Sequence, residues 1–123
     1  GTRLAVAPVL VAEQLSDDHP TKKAGMQYVN KYENEHGAGS RSLFGSTAWT
    51  AYSMLNAAIP VAMEKAQPGT PEFRQALRDA LENMEEVVSP EGVFNMSPEN
   101  HNGLDERGQV MVSVENGNWK LEQ

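Results

Sequence analysis

The stretch Ser40–Ala66, SRSLFGSTAWTAYSMLNAAIPVAMEKA, constrains the fold of this chain more than any other segment. It opens polar and flexible at Ser40, Ser42, Gly45, Ser46 and Thr47. It then enters the longest apolar segment present, which carries Trp49, Tyr52, Met54, Leu55, Ile59 and Met63. The spacing predicts a helix from about Phe44 or Ser46 to Ala66, stopped by Gln67-Pro68-Gly69. Pro60 lies inside it and has no N–H for the carbonyl of Asn56, so a kink is expected there. Apolar residues on both sides of that kink predict a helix packed along its whole length. Its hydroxyl-rich start has two readings. Either Ser46 or Thr47 caps the helix while the aromatics fill a core, or free N–H groups and hydroxyls form one wall of a polar-ligand site.

The flanking segments must supply what this helix packs on. Leu4–Ala12, LAVAPVLVA, reads as a buried strand in which Pro8 forces an edge position, a bend or a meeting of two strands. Ser16, Asp17 and Asp18 before His19-Pro20 signal a helix start, and Gly37-Ala38-Gly39 a stop after His36. Ala24, Tyr28, Val29 and Tyr32 form the apolar stripe of that helix, with Lys22, Lys23, Lys31, Glu33 and Glu35 outside. His36 in the last turn reads as a cap to the helix dipole. Thr70-Pro71-Glu72 opens a third helix whose apolar positions Phe73, Ala76, Leu77, Ala80, Leu81 and Met84 lie on one face. From Val87 to Arg107 turn residues dominate, with a short strand near Gly92–Met96. Gln109–Glu115 alternates, and Asn116-Gly117 predicts a two-residue hairpin pairing Val114 with Trp119 and Val112 with Leu121.

Composition excludes several functions. The net charge of −7 over 123 residues, with no Lys/Arg cluster, gives nucleic acid no phosphate footprint. No apolar run approaches the roughly 18–20 residues that span a bilayer. There are no cysteines, hence no disulfides, Cys-zinc sites or thiol nucleophiles. His19, His36 and His101 lack the spacing of a helical metal pair. Asn95–Arg107 gathers Glu99, His101, Asp105 and Glu106 but lacks a calcium-loop pattern, and reads as a solvated turn. Ser46 sits in Phe44-Gly45-Ser46-Thr47-Ala48, without the second glycine of a nucleophile elbow. Nothing nominates an enzyme, a metal or a cofactor. The start at Gly1, without an initiator Met, reads as a processed, truncated or engineered end.

The order of motifs carries a resemblance. PVLVAEQL at 8–15, DDHP at 17–20, YVNKYE at 28–33, FGSTAWTAY at 44–52, GVFNM at 92–96, HNGLDER at 101–107 and VMVSVENGNWKL at 110–121 together resemble the C-terminal portion of type I periplasmic binding proteins. More narrowly they resemble the branched-chain amino-acid type, the solute-binding subunits of ABC importers. The resemblance implies an α/β fold (α+β as a fragment), two lobes closing on a ligand between them, with three helices, short strands and a C-terminal β-hairpin present here. Residues 1–9 would be a strand and crossover of the second lobe, 13–106 the helical part of the first, and 107–123 the hairpin returning to the second. It further implies a periplasmic protein that binds a small carboxylated ligand, a branched-chain amino acid or aromatic acid, and delivers it to a membrane permease. Ser46 and Thr47, with Gly45 and Phe44, would then face the ligand cleft. The three apolar helix faces would lack the sheet they are built for, so the chain is expected to associate with the remainder of such a protein or as a homo-oligomer. The competing reading is a small α+β protein-interaction module that docks those faces on a partner.

Overall fold

The computed structural model describes residues 1–122, as mixed α/β. Strand β1, Arg3–Val6, is followed by helices α1 (Lys22–His36), α2 (Leu43–Met63) and α3 (Pro71–Glu82), then by strands β2 (Val87–Val88), β3 (Val93–Phe94), β4 (Val110–Glu115) and β5 (Asn118–Leu121). β1, β4 and β5 form one antiparallel sheet in that order, and β2 and β3 form a separate two-stranded ribbon. Among the described residues no helix is long and apolar enough to cross a membrane.

The N-terminal apolar run corrects the expectation of one buried strand. β1 ends at Val6 with Leu4 exposed, and Pro8–Gln14 is a 3-10 segment with Pro8 in its first turn. A residue without an N–H loses nothing in a first turn, whereas in a ladder it costs a hydrogen bond. Burial therefore shifts to the 3-10 segment, whose Val9 and Ala12 form the core with Tyr28 and Val29 of α1.

α1 starts two residues after Pro20. The backbone N–H of Thr21 donates to His19 Nδ1 at 3.2 Å, and the Thr21 hydroxyl lies 3.1 Å from the same nitrogen. Burial pushes the His19 imidazole below its ordinary pKa, and the Thr21 N–H aimed at Nδ1 makes that nitrogen the acceptor. Gly37, at φ 97°, ends the helix as expected and donates its N–H to the Glu33 carbonyl at 2.8 Å. His36 packs against Tyr32 with ring centroids 4.5 Å apart and the planes tilted by 53°.

α2 runs through Pro60 and stops at Met63, short of Ala66. It is not packed along its length. Ser46, Thr50, Ala58 and Ala62 are buried, while Phe44, Ala48, Ala51, Leu55 and Ile59 are exposed. Those five recur at steps of 4, 3, 4 and 4, one continuous apolar stripe. The apolar excess that predicts a buried helix is real, but within these residues only one side of the helix finds partners. α3 follows its sequence signals. Thr70 accepts from the Phe73 N–H at 3.1 Å, Pro71 takes the first position, and the helix packs on α2.

The hairpin is as read from the sequence: Val114 pairs with Trp119 and Val112 with Leu121. Asn116 and Gly117 take positive φ of 51° and 79°, which a type I′ turn demands at both positions. β1 adds to it antiparallel, Leu4 opposite Val112. In the loop before β4, Asn100 Oδ1 accepts from the N–H groups of Asn102 and Gly103, and Asp105 Oδ1 from that of Arg107. These are the Asx-turns expected of it.

Candidate functional site

Three residues fix the entry to α2. Arg41, just before it, donates through Nε to Glu33 of α1 at 2.6 Å and through Nη1 to Glu13 of the 3-10 segment at 2.6 Å. The Arg41 guanidinium holds the Glu33 carboxyl below the usual carboxylate range. Ser42, with β-region backbone, caps the helix by accepting the Gly45 N–H at 3.1 Å. The cap is thus Ser42, four residues ahead of Ser46, and neither Ser46 nor Thr47 is needed for it. From below, the Tyr28 hydroxyl donates to the Ser42 carbonyl at 3.3 Å. Tyr28 is buried against Tyr32 and Trp49, with centroid distances of 5.4 and 5.8 Å, so this contact ties the helix start to the core.

The four residues proposed as a ligand wall have different surroundings. Gly45 sits over the Tyr28 hydroxyl, and a Cβ there would overlap it. Phe44 is 90% exposed, one turn from the exposed Thr47 on the same surface of α2. Ser46 is fully buried. Ser46 and Thr47 are brought together on a group that the sequence reading passes over, Glu91. Its Oε1 lies 2.7 Å from Ser46 Oγ and 2.8 Å from Thr47 Oγ1. Both hydroxyls also lie 2.9 Å from the Leu43 carbonyl. Each hydroxyl has one proton, and an ionised carboxylate is the stronger acceptor, so both point to Glu91.

Glu91 is aimed by the rigid tip of the β2–β3 ribbon. Ser89 N–H donates to the Gly92 carbonyl at 2.9 Å, and Ser89 Oγ accepts the Glu91 N–H at 3.1 Å. Ser89 and Pro90 are fully buried, and Thr50 of α2 donates to Ser89 Oγ at 3.2 Å. Ser46 and Thr50, one turn apart on α2, therefore make a polar stripe that docks the Ser89–Gly92 tip. The only sequence signal at Glu91 is its place in the turn Ser89-Pro90-Glu91-Gly92. Nothing local announces a partner 45 residues away.

A separate open groove of about 720 Å³ lies between α1 and α2 beside β2. Lys31, Trp49, Tyr52 and Asn56 line it, and Phe44–Thr47 do not. The Lys31 ammonium stands 5.8 Å from the centre of the Trp49 ring. Among the described residues no three His, Cys, Asp or Glu side chains are placed to share a metal ion.

Three solved structures that this chain resembles are described as extracellular ligand-binding receptors. One from Rhodopseudomonas palustris superposes with a TM-score of 0.94 at 37% identity, covering 100% of this chain and 34% of its own. Another, from R. palustris HaA2, gives 0.94 at 35% identity with the same coverage. A further HaA2 receptor gives 0.86 at 34% identity, covering 99% of this chain and 34% of its own. The chain thus spans about a third of the length of the receptors it matches. No protein-family model matches it, and no curated protein does.

Proposed function

We propose that this chain, which belongs to the extracellular ligand-binding receptors of the type I periplasmic-binding-protein fold, supplies one wall of their inter-lobe cleft. In this reading the whole protein is the solute-binding subunit of an ABC importer in the periplasm. It takes up a small carboxylated solute, a branched-chain amino acid or an aromatic acid, and presents it to the membrane permease without catalysing a reaction. The observation that carries the reading is structural similarity over the entire chain at 37% identity to such a receptor. Residues 1–9 and 107–123 then belong to one lobe and 13–106 to the other. The antiparallel pairing of β1 with β4, which joins the first and third of these segments in one sheet, supports that division. Phe44, Gly45, Ser46 and Thr47 form the ligand-side edge of α2. Its exposed stripe from Phe44 to Ile59 is the surface that the remaining two thirds of the receptor cover. That also accounts for the apolar exposure that would otherwise favour a protein-docking module.

The test is calorimetric titration of branched-chain amino acids and benzoate-like acids against the whole receptor and against the 123-residue chain. Saturable one-to-one binding is expected for the whole receptor, and weak or no binding for the chain, which holds one wall. Micromolar binding by the chain alone would refute the shared cleft. No binding by the receptor would refute the ligand class.

A further inference from the structure

Strand β5 is the edge of its sheet, with β4 on one side only. Trp119 and Leu121 sit opposite Val114 and Val112, at the positions of this hairpin that do not bond across the ladder. The Trp119 carbonyl and the Leu121 N–H therefore point away from β4, and one side chain meets both. The Gln14 amide donates through Nε2 to the Trp119 carbonyl at 2.9 Å and accepts the Leu121 N–H through Oε1 at 2.9 Å. Taking the carbonyl of one residue and the N–H two residues on is what a peptide of a parallel neighbouring strand does, so the amide stands in for a strand. Gln14 is itself held from the other side. Lys22 Nζ of α1 donates to the carbonyls of Glu13 and Leu15, each at 2.9 Å, and Arg41 bonds the Glu13 carboxylate. Among the described residues, the two Gln14 bonds are the only hydrogen bonds between the β4–β5 hairpin and residues 13–106. Beside them an open gap of about 380 Å³ separates Gly117, Asn118 and Trp119 from Gly39 and Arg41.

We propose that Gln14 is a positioning residue for the movement of the two lobes: its amide ties β5 to the crossover and sets how far the lobes part. The role rests on the division proposed above, with the hairpin in one lobe and residues 13–106 in the other. On that division the Gln14 backbone moves with α1 while its side chain grips the opposite lobe. A rotation that widens the gap beside Gly117 must then stretch these two bonds. Both lie at an exposed site, where neutral hydrogen bonds are weak enough to break and re-form. Such a contact shifts the balance between open and closed forms without fixing either.

The test uses the whole receptor carrying spin labels on Glu35→Cys and Lys120→Cys, two exposed positions on opposite sides of the division. Glu35→Cys with Glu72→Cys serves as the pair inside 13–106. Pulsed EPR should give a broader distance distribution across the division than within it. Gln14→Ala should broaden the first distribution further and leave the second alone. It should also speed exchange of the Leu121 amide by roughly fivefold or more, the worth of one neutral hydrogen bond. Gln14→Glu separates bonding from packing, because its protonated acid offers the same donor and acceptor as the amide, whereas its carboxylate only accepts. Measured against the wild type at the same pH, it should match the wild type below about pH 4 and Gln14→Ala above about pH 6. A cross-division distribution unchanged in Gln14→Ala, or a Gln14→Glu indifferent to pH, overturns the proposal and leaves the division standing. A wild-type distribution as narrow across the division as within it overturns both.

Discussion

Replacing Gly45 by alanine sets a local gain against a tertiary cost. In an open helix Ala is preferred to Gly by up to about 1 kcal/mol, and less in the first turn. Here the new Cβ would overlap the Tyr28 hydroxyl. That hydroxyl cannot swing aside, because Tyr28 is 1% exposed and wedged between Tyr32 and Trp49. Either the ring leaves its rotamer or α2 lifts, and overpacking of this kind costs about 1–3 kcal/mol. Losing the Tyr28–Ser42 hydrogen bond adds about 0.5–1.5 kcal/mol. With a first-turn gain of about 0.5 kcal/mol, we expect Gly45→Ala to be a net loss of about 1–4 kcal/mol. Amide hydrogen exchange on the whole receptor should show it as roughly 5- to 900-fold lower protection in the first turns of α2. Tyr28→Phe removes the clashing oxygen, so Gly45→Ala in that background should cost nothing or stabilise slightly. The coupling between the two changes is the signature, and contacting residues typically couple by about 0.5–3 kcal/mol. An equal cost in both backgrounds would refute the account, as would a stabilising Gly45→Ala alone.

Two further outcomes follow from the polar groups. Arg107 donates two hydrogen bonds to Glu86, each 2.9 Å long, and Asn95 adds one at 2.8 Å. The Arg107 bonds, then that of Asn95, pull the Glu86 carboxyl down to about 2. A depressed carboxylate pKa means that the unfolded chain holds more protons. The network therefore contributes stability above the ordinary glutamate range and loses it as pH falls toward about 2. Arg107→Ala should raise the Glu86 midpoint, followed by side-chain carboxyl NMR, toward the ordinary value, with the Asn95 bond still holding it somewhat below, and an unmoved midpoint would contradict the assignment. Ser40 is different: its hydroxyl oxygen is buried with no partner among the described residues. Ser40→Ala should leave the unfolding temperature unchanged or raise it, since removing an unpaired buried polar atom relieves its desolvation, and a clear drop would show a partner in the whole receptor.

What the sequence discloses here is local, and what it hides is long-range. The hairpin register is read residue for residue because Asn116-Gly117 admits one turn type and the turn sets every pair. α3 is legible from Thr70-Pro71 for the same reason: cap, proline and periodicity agree. At Pro8 two local rules compete. The β-branched run argues for a strand and the missing N–H for a first turn, and the buried contacts of Val9 and Ala12 with α1 decide for the turn. On α2 the sequence shows that apolar residues surround the helix, but not that only one side meets this chain. The hydroxyls at its start are visible, whereas their acceptor arrives from a ribbon tip 44 and 45 residues later, through contacts that leave no periodic trace.

The two ends of this site are held by different parts of the molecule, and that bears on how a cleft wall can be specific. Tyr28, a core residue, sets the height of the α2 start through Ser42 and Gly45. Glu33 and Glu13 set its direction through Arg41. Glu91 is set independently, by the buried Ser89-Pro90 tip and by Thr50 one turn along the helix. The backbone at Phe44 and at Glu91 is therefore placed by the core and by the ribbon tip. Substitution at Phe44, whose side chain is exposed, can change what the wall prefers without disturbing its geometry. Substitutions at Tyr28, Gly45 or Arg41 should weaken every ligand together, because they move the whole wall. Titrating a branched-chain amino acid and a benzoate-like acid against Phe44→Leu and Tyr28→Phe in the whole receptor separates the two cases: the first should alter the ratio between the two ligands, and the second should lower all affinities in proportion. A Tyr28→Phe variant that changed preference without lowering affinity would show that the core does not set this wall.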